Sequence, residues 1–321
     1  MVDWQDPTTL FLSSRAFVVM FHMFFGIYLL EFIQSLGFDV DCIFGRRHRW
    51  GVSTTIYFLA RYTALAGLAV GIRAVNVLQE IDCQTWMYAA YSLAYAGIAF
   101  SLALLYIRVA ELAAWKLRVV GPLALPYCAY CALAVTGVIH VGAVAVPELL
   151  MCGPVLSTHS GRQHNANTYL PFVAAAFALA CMGLMAFYLH YRGRRFVVSY
   201  LVYRGVHYVA FIALANLVAG IFVLAPLNDA ASQAPSVLAG VFTVICATRL
   251  QRDIFIDMSD GAEEGLTSQP IAFRGTDSGI ELRVTIHVEQ HAARDISFDV
   301  VRGTDQEQKS KEEKEDVKEE L

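Results

Sequence analysis

Polar and apolar positions in this 321-residue chain are sorted into long blocks rather than a short alternation. Five stretches contain no Asp, Glu, Lys or Arg: 83–107, 119–147, 163–191, 205–228 and 230–248. A bilayer core about 30 Å thick takes roughly 20 apolar residues at a helical rise of about 1.5 Å, so each stretch is long enough to cross once. Two further blocks carry isolated charges: 16–36 with Glu31, and 52–75 with Arg61 and Arg73. The pattern predicts an all-α membrane protein, a seven-transmembrane helix bundle with spans at about 16–36, 52–75, 84–107, 119–147, 168–191, 203–226 and 232–249. Residues 1–15 are then an extracellular N-terminus and residues 250–321 a cytoplasmic tail. The first block exceeds the roughly 7–15 apolar residues of a signal peptide and no small-residue cleavage site follows it, so a span is expected there rather than a leader.

Composition narrows the class. The chain is 57% hydrophobic and 16% charged, against about a quarter charged in ordinary soluble domains, which excludes a soluble enzyme of this size. The charges are also segregated. Residues 250–321 hold 9 basic and 18 acidic side chains, a net of −9, whereas residues 1–249 hold 15 and 10, a net of +5. A strongly basic nucleic-acid binder is excluded, and lipid becomes the expected environment. Twelve basic residues fall on one set of alternate loops: Arg46, Arg47 and Arg49; Arg108, Lys116 and Arg118; Arg192, Arg194, Arg195 and Arg204; Arg249 and Arg252. The other set has three, Arg15, Arg73 and Arg162. Cytoplasmic loops carry the excess of Lys and Arg, so the N-terminus is expected outside and the acidic tail inside.

The residues able to carry chemistry are few. Cys83, at the outer start of the third span, and Cys152, in the outer loop after the fourth, both face the oxidising side; they are either bridged, tying that loop over the bundle, or two separate thiols. Cys42 and Cys246, near the inner interface, are candidate palmitoylation positions. Ionisable groups inside a membrane usually face a partner or a cavity. Glu31 and Arg61 lie at similar depth near the inner side, so either they form an intramembrane ion pair or Arg61 snorkels and Glu31 stays at the interface. Arg73, Tyr88, Tyr91, Tyr95 and His140 share the outer part of the second, third and fourth spans and are candidates to line a ligand pocket. The inner basic residues Arg46, Arg47, Arg49, Arg108, Lys116, Arg118, Arg192, Arg194 and Arg195 are candidates for a surface that meets a cytoplasmic signalling protein.

Absences exclude other chemistry. The five lysines are Lys116, Lys309, Lys311, Lys314 and Lys318, so no span holds one and a retinal Schiff base is excluded. His22, His140, His190 and His207 are scattered in depth, which argues against a metal site. No nucleotide-binding lysine motif, HExxH or GxSxG occurs, so neither an enzyme nor a cofactor is expected. In the tail, 282–288 alternates apolar and polar residues and 296–301 is a second short candidate strand; they form either a marginal hairpin or an unstructured apolar island. The charged run from Gln306 onward is either disordered or a short solvated helix.

Three stretches carry a resemblance: Gly37-Phe-Asp-Val-Asp41, Arg46-Arg-His-Arg-Trp50 and Ile56-Tyr-Phe-Leu-Ala-Arg-Tyr62. Together with Ile107-Arg-Val-Ala-Glu-Leu-Ala-Ala-Trp115, they resemble a largely uncharacterised group of fungal, mainly basidiomycete, seven-span integral membrane proteins that are sometimes described as receptor-like. The placement of Cys83 and Cys152 also resembles the disulfide that G-protein-coupled receptors carry between the same two elements. Tyr106-Ile-Arg108 stands where rhodopsin-like receptors have Asp-Arg-Tyr, and the seventh span lacks Asn-Pro-x-x-Tyr, so none of their activating residues is carried over. The resemblance implies the seven-span topology. Seven spans, an outer N-terminus, the placement of Cys83 and Cys152 and the acidic tail together point to a plasma-membrane receptor that senses an extracellular ligand and signals through its basic inner loops and tail. A transporter or lipid-translocating protein is the alternative, pointed to by Arg61 and by Pro122 and Pro126 within the fourth span.

Overall fold

The computed structural model describes residues 6–44, 51–76, 82–146, 151–155, 166–191, 196–225 and 228–264. They form eight helices and one two-stranded sheet: α1 Pro7–Gln34, α2 Leu36–Ile43, α3 Val52–Val75, α4 Cys83–Leu112, α5 Leu117–Ile139, β1 Gly142–Val146, β2 Met151–Val155, α6 Ala166–Tyr191, α7 Phe196–Leu224 and α8 Asp229–Glu264. All but α2 are long and apolar enough to cross a membrane, and the protein is an integral, multi-pass seven-helix bundle. The chain divides into a compact unit over Met1–Met258 and a second over Ser259–Leu321. Of the second, only the last turns of α8 are described, so the tail strands expected at 282–288 and 296–301 lie outside the described residues.

Large apolar side chains cover the outside of the bundle. Leu12, Met23, Leu30, Leu125, Val135, Phe187, Phe211 and Ile221 are all exposed, as a lipid-facing surface requires. The helices differ in how much they enclose. Only 11% of the spanning window of α1 is buried, against 56% in α8, so α1 is peripheral and α8 central. Small residues bring α3 and α4 together: a Cβ on Gly97 would lie 3.1 Å from the Ala64 backbone nitrogen, and one on Gly67 would lie 3.0 Å from that of Ala94. Close backbone approach of this kind replaces hydrophobic burial as the packing force in lipid. The largest buried cluster joins α4, α5, α6, α7 and α8 through Leu105, Tyr130, Phe177, Ile212 and Leu250. Buried Asn216 of α7 donates to the Thr243 hydroxyl of α8 at 2.9 Å.

The helix ends differ from the expected bounds for identifiable reasons. Asp6 caps α1, its carboxylate accepting from the Thr9 backbone N–H, so the helix starts ahead of residue 16. Positive φ at Ala114 (51°) and Trp115 (55°) reverses the chain between α4 and α5. The fourth span ends at Ile139 rather than 147, because Gly142–Val146 leaves the helix and pairs antiparallel with Met151–Val155. Apolar Gly142–Val146 lacks the charge that would have separated it from the span. The Gln84 side chain secures this hairpin, donating to the Val141 carbonyl at 2.7 Å and accepting from the Ala143 N–H at 2.8 Å. One end of the bundle therefore carries the hairpin. The opposite end carries α2 and most of the described charged side chains.

Candidate functional site

Two features are built into the bundle: a polar cluster at the charged end and an apolar cavity between that cluster and the hairpin. The cluster begins with α2. After the Ser35 turn the chain folds back as this short helix, which delivers Asp39, 1% exposed, onto α3. Arg61 meets it there, Nε 3.2 Å from Oδ2. These two atoms are close enough for an ion pair but are not aligned for a hydrogen bond. The other groups are bonded more directly. Tyr57 donates to Asp39 Oδ1 at 2.9 Å, Arg61 Nη1 donates to the Tyr57 hydroxyl at 2.7 Å, and Nη2 donates to the Phe32 carbonyl at 2.5 Å. The guanidinium also lies over the Phe32 ring, 4.5 Å from its centroid, where the ring quadrupole attracts a cation. Burial pushes the Asp39 carboxyl above its ordinary value, while Arg61 and the Tyr57 hydroxyl pull it back.

Glu31 does not join this pair. It faces α8, accepting from Arg249 Nε at 2.8 Å and from Arg249 Nη2, with Arg252 Nη2 at 3.5 Å. The expected Glu31–Arg61 pair is thus replaced by two separate sets, Asp39–Arg61 and Glu31–Arg249–Arg252. Similar depth placed Glu31 and Arg61 together, but each helix turns its charge toward a different neighbour.

Arg108 also departs from the expected arrangement. It is not part of an exposed cytoplasmic surface, since only 9% of its side chain is accessible. Its Nε donates to Gln251 Oε1 at 2.8 Å, its Nη1 meets Glu111 at 2.5 Å, and Gln251 in turn donates to the Ser53 hydroxyl at 2.8 Å. Arg108 therefore ties α4 to α8 and, through Gln251, to α3. Lys116 and Arg118 are exposed. Arg46, Arg47, Arg49, Arg192, Arg194 and Arg195 lie outside the described residues. Cys42 and Cys246 are buried, out of reach of an acyl group.

At the hairpin end Cys83 and Cys152 are bridged, with Cα atoms 5.5 Å apart. The bridge joins the first residue of α4 to β2. It packs with Ala74, Met87 and Val141, against Trp86, Tyr88 and Tyr91. Asp82 caps α4 beside it, and its carboxyl is held below the ordinary range by the Thr85 hydroxyl and the Gln84 and Thr85 backbone.

The cavity occupies about 150 Å³ between α1, α3, α4 and α8. Tyr91 and Tyr95 line it as expected; Arg73, Tyr88 and His140 do not. His140 is exposed at the end of α5, its Nδ1 2.8 Å from the Thr136 carbonyl. Tyr88 turns toward the Ile139 carbonyl, 3.4 Å away, and Arg73 is half-buried outside the lining. Shared depth does not imply a shared helix face, and α5 contributes nothing to the walls. In its place α1 supplies Phe17, Phe21 and Tyr28, and α8 supplies Gln233, Ser236 and Gly240. The missed signal was the run of small residues at helical spacing on α3, Ala64, Gly67, Gly71 and Ala74, which leaves the room. Ala74 and Met87 belong both to the wall and to the cluster around Cys152.

Tyr28 connects the two features. Its ring lines the cavity and its hydroxyl donates to the Arg61 carbonyl at 2.7 Å. Among the described residues no group of three or more His, Cys, Asp or Glu is placed to hold a metal. No family model, curated protein or solved structure matches the chain.

Proposed function

We propose that the protein is a receptor-like membrane protein that senses a small molecule in this cavity and passes the change to the charged end of the bundle. One observation carries the reading: Tyr28 forms a wall of the cavity while its hydroxyl holds the backbone of Arg61, whose side chain holds Asp39. A ligand that moves Tyr28 would alter the seat of α2. Such a change needs a difference in the ligand's affinity for two arrangements of the bundle, and a buried ion pair supplies an element with discrete states.

In this reading the bridged hairpin faces the cell exterior and the charged end faces the cytoplasm, which fits the basic loops and the oxidising environment a disulfide requires. The plasma membrane is the corresponding site. Exposed Lys116 and Arg118, the basic residues 46–49 and 192–195, and the acidic tail then meet a cytoplasmic signalling partner. The resemblance to the fungal receptor-like group is consistent with this assignment.

The test uses purified full-length protein in lipid vesicles, with a fluorophore on Lys116→Cys. A library of small neutral compounds is screened for thermal stabilisation, and each compound that stabilises is assayed for label response and for its own flux. Stabilisation with a label response that Tyr28→Phe abolishes supports the receptor. Flux of the same compound across the vesicle would overturn it in favour of a transporter.

A further inference from the structure

The cavity wall contributed by α8 is built at helical spacing from Gln233, Ser236, Val237, Gly240, Val241 and Val244. All but the first two are apolar or glycine, and no Asp, Glu, Lys or Arg lines any wall. A charged ligand would be desolvated here with nothing to pair it. Two polar groups of the lining are already committed, Tyr28 to the Arg61 carbonyl and Tyr95 to Asn167 Oδ1 at 3.0 Å. Gln233 is not. The residue is only 9% exposed, and among the described residues its amide makes no hydrogen bond, leaving its polar atoms open to the cavity rather than sealed in protein. That amide offers two donors and an acceptor. In a wall that is otherwise mostly apolar, a polar group within the cavity would supply the partner this amide lacks.

We infer that the cavity binds a small uncharged ring compound bearing one hydroxyl or carbonyl, which pairs with the Gln233 amide. The size follows from the volume, since an apolar cavity of about 150 Å³ takes a benzene-sized molecule. The ring follows from the aromatic faces of Phe17, Phe21 and Tyr91 around it. The polar substituent follows from Gln233, because a wall that presents an amide with no protein partner favours a ligand able to bond to it over an analogue that cannot. This deepens the proposed function and rests on it for treating the cavity as a ligand site.

The test is fluorine NMR on the full chain in lipid nanodiscs, with 4-fluorobenzyl alcohol and 4-fluorotoluene as probes and protein-free discs correcting for lipid partition. The alcohol should bind the wild type about tenfold more tightly than the hydrocarbon. Gln233→Leu should erase that preference, and Gly240→Leu, which projects into the cavity, should lose both probes. A thermal transition retained by each variant shows that it folds. Equal binding of the two probes to the wild type, no binding of either, a preference surviving in Gln233→Leu, or full binding to Gly240→Leu would each overturn the inference. The wild-type comparison decides even if a variant does not fold. The preferred binding of the alcohol without any label response at position 116 supports this inference and sinks the receptor reading. A label response driven equally well by 4-fluorotoluene does the reverse.

Discussion

A guanidinium keeps its proton at every accessible pH, whereas a buried carboxyl can escape its charge by taking one up. The two halves of the Asp39–Arg61 pair should therefore fail differently. Asp39→Asn strands a guanidinium that is 4% exposed, and loss of one partner from a buried pair costs about 3–5 kcal/mol. Arg61→Met leaves Asp39, whose carboxyl burial already pushes upward. With the cation gone its folded value rises further above the unfolded one. Its contribution is then fully present below the ordinary aspartate range and lost as pH rises through the folded value, so acidification should stabilise Arg61→Met and not Asp39→Asn. The double variant Asp39→Asn/Arg61→Met should cost less than either single change near neutral pH. Thermal unfolding of purified protein between about pH 4 and 8 checks all three; a double variant as unstable as the sum of the singles would show that the pair is not coupled. The presence of charges at this depth was legible in the sequence, because Glu31 and Arg61 interrupt otherwise apolar blocks. Their partners were not. Pairing depends on the direction each side chain leaves its helix, and on α2, whose two aspartates look like loop residues until the chain folds back at Ser35.

Between elements, the contacts that matter most are those with least side chain. A Cβ at Gly97 would sit 3.1 Å from the Ala64 nitrogen and 3.2 Å from its Cα, all within the α3–α4 seam. Backbone cannot give way as a flexible side chain can, so Gly97→Leu should destabilise by at least about 1–3 kcal/mol. At Gly26 nothing lies within 4 Å, and Gly26→Ala should be neutral or stabilising by up to about 1 kcal/mol. A comparable loss in both, measured by thermal unfolding in detergent, would place the seam elsewhere. The bridge at the hairpin end is a second staple between elements. Replacing Cys83 and Cys152 by Ser should cost about 2–5 kcal/mol, and in the wild type both should resist alkylation until a reductant is added. The same end should respond to acid. Asp82 is held below the ordinary carboxylate range, so its capping contribution is present above that range and lost as pH falls through its lowered value; Asp82→Asn should remove that dependence. Seven helices could be read from apolar length, unbroken in five and interrupted only by isolated charges in two. The hairpin could not, because Gly142–Val146 is as apolar as the helix before it. Only the His140–Gly142 break separates the two.

For the molecule as a whole, the segregation of charge becomes a statement about sidedness. Seven crossings put the two ends of the bundle on opposite faces of the membrane, so fixing one fixes the other. Two independent features then point the same way. In the sequence, twelve basic residues fall on the set of alternate loops that includes the segment after α2 and the end of α8, against three on the other set, and a cytoplasmic face is the one expected to carry such an excess. The sole disulfide among the described residues lies at the opposite end, with the hairpin, where an oxidising compartment would keep it formed. An inverted protein would expose its basic loops outside and carry its bridge in a reducing cytosol, so the two features would fail together. A tag fused after Leu321 should therefore be silent to antibody on intact cells and appear after permeabilisation, while one fused ahead of Met1 should do the reverse. Surface accessibility of the C-terminal tag in unpermeabilised cells would refute the orientation and, with it, the assignment of the basic loops to a cytoplasmic partner. It would leave the cavity and its Gln233 amide where they are, because the chemistry of the cavity depends on the packing of α1, α3, α4 and α8 and not on which face of the membrane is the exterior.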